Sequence, residues 1–334
     1  MEINTVKKPA INKILLAGST GYIGSNVLRV LLSKGYHVVC IGRNFSFDQS
    51  TKKHDNLSVF KTDICKKINY EFLKKQFSSL DGIISCIGTR SGGQCDSWKV
   101  EYQANKNLLE LGVGLGIKQY ILLSAICVQK PKLHFQFAKL AFENELISSG
   151  VSYSIVRPTA YFKSLAGQIE KVKSGKPFVL FDNGVNTSCK PISERDLAEF
   201  ICSCLFNDAR KGKVMPIGGP GLAYTPMGQG ELIFKILKQS PKFRSVPSSI
   251  FKIFGYCLTP LSHFSNRIKN LREFLRIGHY YATESMLVWD ESQQAYSSAK
   301  TPEYGNDSLE DFYKQVIKFG IDGHELGKHK LFKN

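Results

Sequence analysis

Seven residues near the start of the chain, Gly18-Ser19-Thr20-Gly21-Tyr22-Ile23-Gly24, place glycine at every third position directly behind the apolar run Lys13–Ala17. Chemistry at such a turn is done by the main chain. Glycines allow a tight bend, let backbone N–H groups approach a pyrophosphate, and seat the following helix close to its strand. The N-terminus of that helix offers partial positive charge to the phosphates. A glycine triplet alone says little, because loops gather glycine; strand, turn and helix together specify a dinucleotide site. Gly42-Arg43-Asn44 ends the next apolar run, where NAD-binding chains carry a carboxylate for the adenosine ribose. Arg43 can stack on adenine and pair with a 2′-phosphate, which favours NADPH; the alternative is a solvated surface arginine. Asp63, with Ile64 behind it, can accept a hydrogen bond from the adenine amino group or cap a helix. Cys86-Ile87-Gly88 is expected along the adenosine and its ribose.

Holding these residues in one place requires a parallel sheet. Short apolar runs alternate with helical patterns through the first half of the chain, the signature of βαβ units. Strands are expected at Lys13–Ala17, His37–Ile41, Leu57–Lys61, Leu80–Cys86, Gln119–Ser124 and Ser152–Val156, with helices at Tyr22–Ser33, Ser97–Gly114 and Leu133–Ser149. Each strand is nearly all apolar, as expected where helices cover both faces. Beyond Arg157 the alternation loosens. Strands are expected at Pro177–Phe181 and Lys213–Ile217, and helices at Glu194–Phe206, Gly228–Lys238, Ser248–Tyr256, Ser265–Arg276 and Ser308–Lys318. The fold class is α/β, a Rossmann-type doubly wound parallel sheet with a mostly helical C-terminal lobe. Residues 12–212 are read as the nucleotide domain and 213–322 as a dependent substrate-binding lobe, between flexible tails at 1–11 and 323–334.

Composition narrows the class. The chain has 334 residues, 43% hydrophobic and 22% charged, an ordinary balance for a globular protein. Residues 1–12 are short and polar, unlike a signal or transit peptide. No run approaches the roughly 18 apolar residues of a membrane-crossing helix. Nine scattered cysteines without a CxxC pair read as reduced thiols, not disulfides, zinc ligands or an iron–sulfur site, and no metal is expected. The net charge of +17 is spread along the chain and matches no nucleic-acid module. It fits anionic partners: a phosphorylated cofactor, a carboxylated substrate or an acidic membrane surface, with general lysine richness as the alternative.

The glycine pattern, with Ser124 after the fifth strand and Lys139 on the next helix, resembles the short-chain dehydrogenase/reductase superfamily. Most members place a tyrosine general acid four residues before that lysine; here Phe135 stands there, as in an atypical branch. Longer stretches resemble the divinyl chlorophyllide 8-vinyl-reductase family: Ser91–Gly93 with Asp96–Trp98, Leu123–Pro131, Ser154–Gln168, Thr187–Glu194, Pro216–Gly221 and Tyr280–Leu287. The resemblance runs in order from Asn12 to Phe319. It implies NADPH and a chlorin substrate, 3,8-divinyl chlorophyllide a or its protochlorophyllide form, with neither flavin nor iron. It also implies a photosynthetic setting: bacterial cytoplasm, or plastid stroma or thylakoid surface.

Within that resemblance, Lys139 is expected to hold the nicotinamide ribose and set the field where hydride leaves. Ser124 and Pro158-Thr159 are expected beside the nicotinamide. Tyr161, Lys163 and Tyr281 are candidate substrate contacts or proton donors, Phe162 a substrate contact, and Lys163, Lys190 or Arg276 partners for a propionate. For each of these substrate roles a structural role is at least as strong an alternative, while for Lys139 a solvated helix lysine is the weaker one. An electron-poor macrocycle can carry developing charge, so such an enzyme mainly orients its substrate and excludes water. Residues 246–289 mix Phe251, Phe254, Tyr256, Leu258, Leu261 and Phe264 with Lys252, Arg267, Lys269, Arg272 and Arg276. They read as a packed helical cover, or as a chlorin lid that touches an anionic membrane. Two other readings stay open: an atypical NADPH reductase of a flavonoid-like or quinone substrate, and an NADPH-sensing regulator without catalysis.

Overall fold

The computed structural model describes residues 11–66, 80–89, 91–262 and 265–320. Most of the two expected tails and Phe264 therefore lie outside the described residues. Ile11, assigned to the N-terminal tail, is instead buried in the core.

The apolar runs form β1 (Lys13–Ala17), β2 (His37–Gly42), β3 (Leu57–Lys61), β4 (Gly82–Ser85), β5 (Gln119–Leu123), β6 (Tyr153–Pro158), β7 (Phe178–Phe181) and β8 (Lys213–Ile217). Seven of them make one sheet in the order β3-β2-β1-β4-β5-β6-β8, every neighbouring pair parallel. Strand order reverses between β1 and β4, and sheets of this kind hold ligands in the crevice outside the carboxyl ends at that point. The edge strand β3 departs from the all-apolar expectation in burial: Val59 is exposed, and Leu57 and Phe60 are half-buried. An edge has one covered flank only.

Helices α1 (Tyr22–Ser33) and Glu194–Ser203 pack on one face of the sheet over Leu16, Val27, Leu31, Val38, Ile121 and Ile201. On the other face lie a helical run at 94–115 and the helix His134–Ser148, over Leu15, Ile83, Leu108, Tyr120 and Phe142. The 94–115 run is broken by the wide turn Trp98–Gln103, whose hydrogen bonds span five residues.

The lobe alternates with the sheet along the chain instead of following it at residue 213. β8 pairs with β6 inside the main sheet, while β7, from the expected nucleotide domain, pairs with β9 (Phe243–Val246) in the lobe. The lobe core gathers Phe162, Ile169, Phe178, Ile233, Phe234 and Tyr313. Its helix Pro226–Leu237 begins two residues before the expected Gly228, because Thr225 caps it by accepting from Gly228 N–H at 3.1 Å and Pro226 fits the first turn. The helix Asn266–Thr283 runs seven residues past the expected end at Arg276. It passes through Gly278, where a Cβ would lie 2.8 Å from the Phe251 ring: here glycine serves a close approach, not a stop. A hairpin, β10 (Val288–Asp290) with β11 (Ala295–Ser297), and the helix Leu309–Phe319 complete the described chain.

Candidate active site

Six strand ends of the main sheet carry residues singled out above. β1 enters the glycine turn at Gly18, whose φ of +83° suits glycine alone. A Cβ there would lie 2.6 Å from the Cys86 carbonyl oxygen, because the ends of β1 and β4 touch. Gly24 is pressed even more closely, since a Cβ on it would lie 2.1 Å from the Gly18 oxygen. Gly21 differs. Its backbone is extended, and a Cβ would meet only the Gly18 oxygen, at 3.2 Å. Gly21 is the N-cap of α1, no side chain caps that end, and its first turn holds no acidic residue. Room for a further group and a helix N-terminus without a capping side chain therefore coincide at Gly21, which fits a pyrophosphate. Ser19 is buried beside Cys40, and Thr20 is exposed. Ile23 packs into the core. Tyr22 donates its hydroxyl to Glu194 Oε2 at 2.5 Å, with the Lys163 ammonium 4.9 Å from its ring centre.

Arg43 is exposed just past β2, and its charge reaches Asp63 and Asp96. Asp63 spends Oδ1 on Cys65 N–H at 3.1 Å, so the capping alternative applies to that oxygen. Burial works to raise its carboxyl pKa; the Cys65 hydrogen bonds and the charges of Lys99 and Arg43 outweigh it and hold the group below its ordinary value. Ile64 is buried behind it.

Lys139 comes from the helix on the far face and reaches the end of β4. Its Nζ lies 2.8 Å from Glu101 Oε2, and the two side chains are 12% and 2% exposed. Glu101 Oε1 accepts the N–H of Thr89 at 2.8 Å, and Gly88 lies beside it. The charges of Glu101 and Lys139 are felt at Tyr161 and Cys86 respectively. Burial pushes the Cys86 thiol up to about 12 and lifts the Tyr161 phenol above its usual range. Tyr281 keeps 43% of its surface open, yet desolvation raises its pKa well above the ordinary value, with Cys127, Tyr280 and Tyr161 adding to the rise. Tyr161, Cys86, Lys139, Cys127 and Tyr281 feel one another's charges and so gather at the carboxyl end of the sheet, around the recess that the reversal of strand order leaves there. Phe135 stands one turn before Lys139, half-buried against the cluster that holds Ile126, Cys127, Leu133 and Tyr280. The helix Asn266–Thr283 roofs the recess: a Cβ on Gly92 would strike Ile277 at 2.4 Å, and one on Gly93 would strike Asn270 at 2.6 Å.

A family model for NAD(P)H binding matches residues 18–208. Two plant proteins named divinyl chlorophyllide a 8-vinyl-reductase, chloroplastic, match nearly the whole chain. The one from Cucumis sativus is 45% identical over 98% of this chain and 81% of its own length. The one from Arabidopsis thaliana is 44% identical over 96% and 81%. The chain belongs to the divinyl chlorophyllide a 8-vinyl-reductase family. An NADPH-dependent quinone oxidoreductase from Escherichia coli, solved with NADPH, superposes with a TM-score of 0.65 at 16% identity, covering 91% of this chain and 99% of that one; it shares the fold.

In this member of the 8-vinyl-reductase family, several expected site residues are engaged elsewhere. Phe162 is buried in the lobe core against Phe312, since β6 leads directly into the lobe there. The Lys190 ammonium is buried and paired with Glu303, so it is not a propionate partner. Ser124 donates its hydroxyl to Glu143, which Arg157 also grips through Nε at 3.2 Å and through Nη2. Thr159 donates its hydroxyl to the Lys190 carbonyl, and its N–H to Ile217 oxygen at 2.9 Å, next to Pro158. Lys163 is buried beside Tyr22, behind the glycine turn. Arg276 bonds Glu273 and the Lys132 carbonyl at the rim, each at 2.8 Å. Glu101 is a site residue that sequence reasoning misses: no glycine, spacing or motif marks it, and only the wide turn brings it to Lys139. Among the described residues no three potential metal ligands cluster, and no helix is long and apolar enough to cross a membrane.

Proposed function

We propose that the protein reduces the 8-vinyl group of 3,8-divinyl chlorophyllide a, or of its protochlorophyllide form, to ethyl, with NADPH as the electron donor. The observation that carries this reading is a sequence match along almost the whole chain to relatives of that name, lying over a recess whose floor fits a dinucleotide. Arg43, at the end of β2 and clear of any ion pair among the described residues, favours the 2′-phosphate of NADPH. When bound, the dinucleotide supplies hydride. The residues of the chain supply the rest. Gly18, Gly21 and Gly24 with the α1 N-terminus hold the phosphates, Cys86-Ile87-Gly88 runs along the adenosine side, and Lys139 holds the ribose nearest the recess. Tyr161 and Tyr281 carry their phenolic protons at neutral pH as any tyrosine does, and burial raises both pKa values further; either can hold a proton at Oη for the substrate carbon. Phe135 cannot, and the conjugated macrocycle makes a strong acid at that position unnecessary.

Incubation of the purified protein with NADPH and 3,8-divinyl chlorophyllide a tests this. Loss of one conjugated double bond shifts the intense blue band to shorter wavelength, the 3-vinyl group survives, and iron chelation leaves the rate unchanged. Tight NADPH binding with an unaltered divinyl spectrum would overturn the catalytic reading.

The outer face of the helix Ser249–Cys257 supports contact with an anionic bilayer. Phe251 turns inward onto Phe181, while Ile253, Phe254 and Tyr256 each expose more than half of their surface. Exposed Lys252, Arg267 and Lys269 stand on the same pair of helices, and the acidic residue there, Glu273, is buried and paired with Arg276. Apolar and basic groups presented together suit an acidic lipid surface. Co-sedimentation with anionic vesicles, reduced by Phe254→Glu and absent with zwitterionic vesicles, is the expected outcome; equal sedimentation of both proteins contradicts it.

A further inference from the structure

Glu101 has no part in the chemistry assigned above, yet it stands between Lys139 and the segment that leaves β4. It lies on the wide turn Trp98–Gln103. Such a turn inserts an extra residue into an α-helical run and re-aims the side chains it carries, and it recurs at functional sites. Nothing about the core requires a carboxylate there. The side chain is 2% exposed, and a buried charge is retained only where partners compensate its desolvation.

Its partners point in two directions. Oε2 faces the Lys139 ammonium at 2.8 Å, and Oε1 accepts the Thr89 N–H at 2.8 Å. A Cβ on Gly88 would stand 3.7 Å from the same Oε1. One carboxylate thereby ties a lysine of the helix His134–Ser148 to the segment that leaves β4. The backbone carbonyl of Glu101 accepts from Asn105 Nδ2 at 2.8 Å, and Asn105 in turn accepts from Ser85 and Tyr120 of β4 and β5 at 2.6 and 3.1 Å. The wide turn is thus braced from behind by the sheet. A lysine on a flexible four-carbon stem gains most from such a fixed anion, since its ammonium has no directional preference of its own.

We propose that Glu101 is the positioning residue of this site. Its carboxylate fixes the Lys139 ammonium against the Cys86–Gly88 wall, so that Lys139 meets the ribose of NADPH without first being ordered. This rests on the cofactor reading given above, and it concerns how Lys139 acts, not whether the protein reduces a chlorin.

A double-mutant cycle on NADPH affinity, followed by cofactor fluorescence without substrate, tests it, with melting curves recorded alongside. Glu101→Gln keeps the shape and the acceptor for Thr89 but removes the charge. Glu101→Gln and Lys139→Met are each expected to weaken NADPH by about tenfold or more, the loss of one charge-assisted contact. The double variant should bind no more weakly than Lys139→Met, because Glu101 acts only through Lys139. Glu101→Asp should recover part of the affinity. If Glu101→Gln weakens NADPH by the same factor in both backgrounds, or leaves it unchanged, the proposal is wrong. Should Glu101→Gln fail to fold, the same cycle with Glu101→Asp carries the same two outcomes. Wild-type protein that binds no dinucleotide would overturn the cofactor reading itself, a result distinct from an additive cycle.

Discussion

Two glycines three residues apart in the first turn should fail in different ways when substituted. At Gly21 the backbone has φ −79° and ψ 167°, open to any residue, and a Cβ touches only the Gly18 oxygen at 3.2 Å. Gly21→Val should therefore fold, losing about 1 kcal/mol or less for a poorer N-cap. The added isopropyl group fills the open space above α1. Each backbone N–H bond to a charged phosphate that it blocks is worth about 1.5–3 kcal/mol, or roughly 10- to 150-fold in Kd. At Gly24 the added carbon would lie 2.1 Å from the Gly18 oxygen and 3.3 Å from the Cys86 Cβ. No side chain can move aside there, so Gly24→Ala must shift the turn itself, at about 1–3 kcal/mol of stability or more. Fluorescence titration with NADPH and a thermal melt on each variant separate the two effects. Gly21→Val should melt near wild type and bind weakly, and Gly24→Ala should melt several degrees lower. A folded Gly21→Val protein with wild-type NADPH affinity would refute the assignment of that space to the pyrophosphate. An unchanged melt for Gly24→Ala would refute the packing argument.

Three further outcomes are expected. Arg43→Glu should weaken NADPH by about 1.5–3 kcal/mol while NADH binding is largely kept, read from paired titrations; equal loss of both contradicts the 2′-phosphate role. Glu143→Ala strips the buried partner from Arg157 and the acceptor from Ser124, so denaturant melts should show about 3 kcal/mol or more of lost stability, and a change under about 1 kcal/mol would mean that the network contributes little. Glu284 anchors Lys132, Lys130 and the Tyr296 hydroxyl where the hairpin meets the roof helix. Burial tends to raise its pKa, but the Lys132 and Tyr296 hydrogen bonds outweigh that and hold it below its usual value. A depressed carboxyl stabilises above its unfolded pKa and loses that contribution as pH falls through the folded one. Stability of the wild type should therefore fall on acidification below about pH 4, and more steeply than that of Glu284→Gln; parallel pH curves would show that the anchor contributes nothing.

The chain order of strands and helices determined the sheet, and with it the place of the cofactor turn. Alternating apolar runs admit few topologies, and a parallel sheet with right-handed crossovers brings Gly18, Arg43, Asp63 and Cys86 to one edge without further information. Lys139 also follows from order alone, one helix after β5. Local sequence does not encode which side chains end up facing the recess and which are consumed by packing. Phe162 and Lys190 lie in stretches that read as substrate-facing, but β6 runs straight into the lobe core and Glu303 arrives from 113 residues downstream to take the Lys190 charge. Ser124 stands at the end of its strand as its position in the chain implies, while its hydroxyl is claimed by Glu143, a glutamate that reads as any polar residue of an amphipathic helix. The lobe interleaves with the sheet because β7 finds its partner in β9, a pairing between residues roughly 65 positions apart that no period of the sequence records. Glu101 is the sharpest case: a turn wound one residue wide, set by packing against Asn105 and the sheet, decides that a carboxylate faces Lys139 instead of solvent.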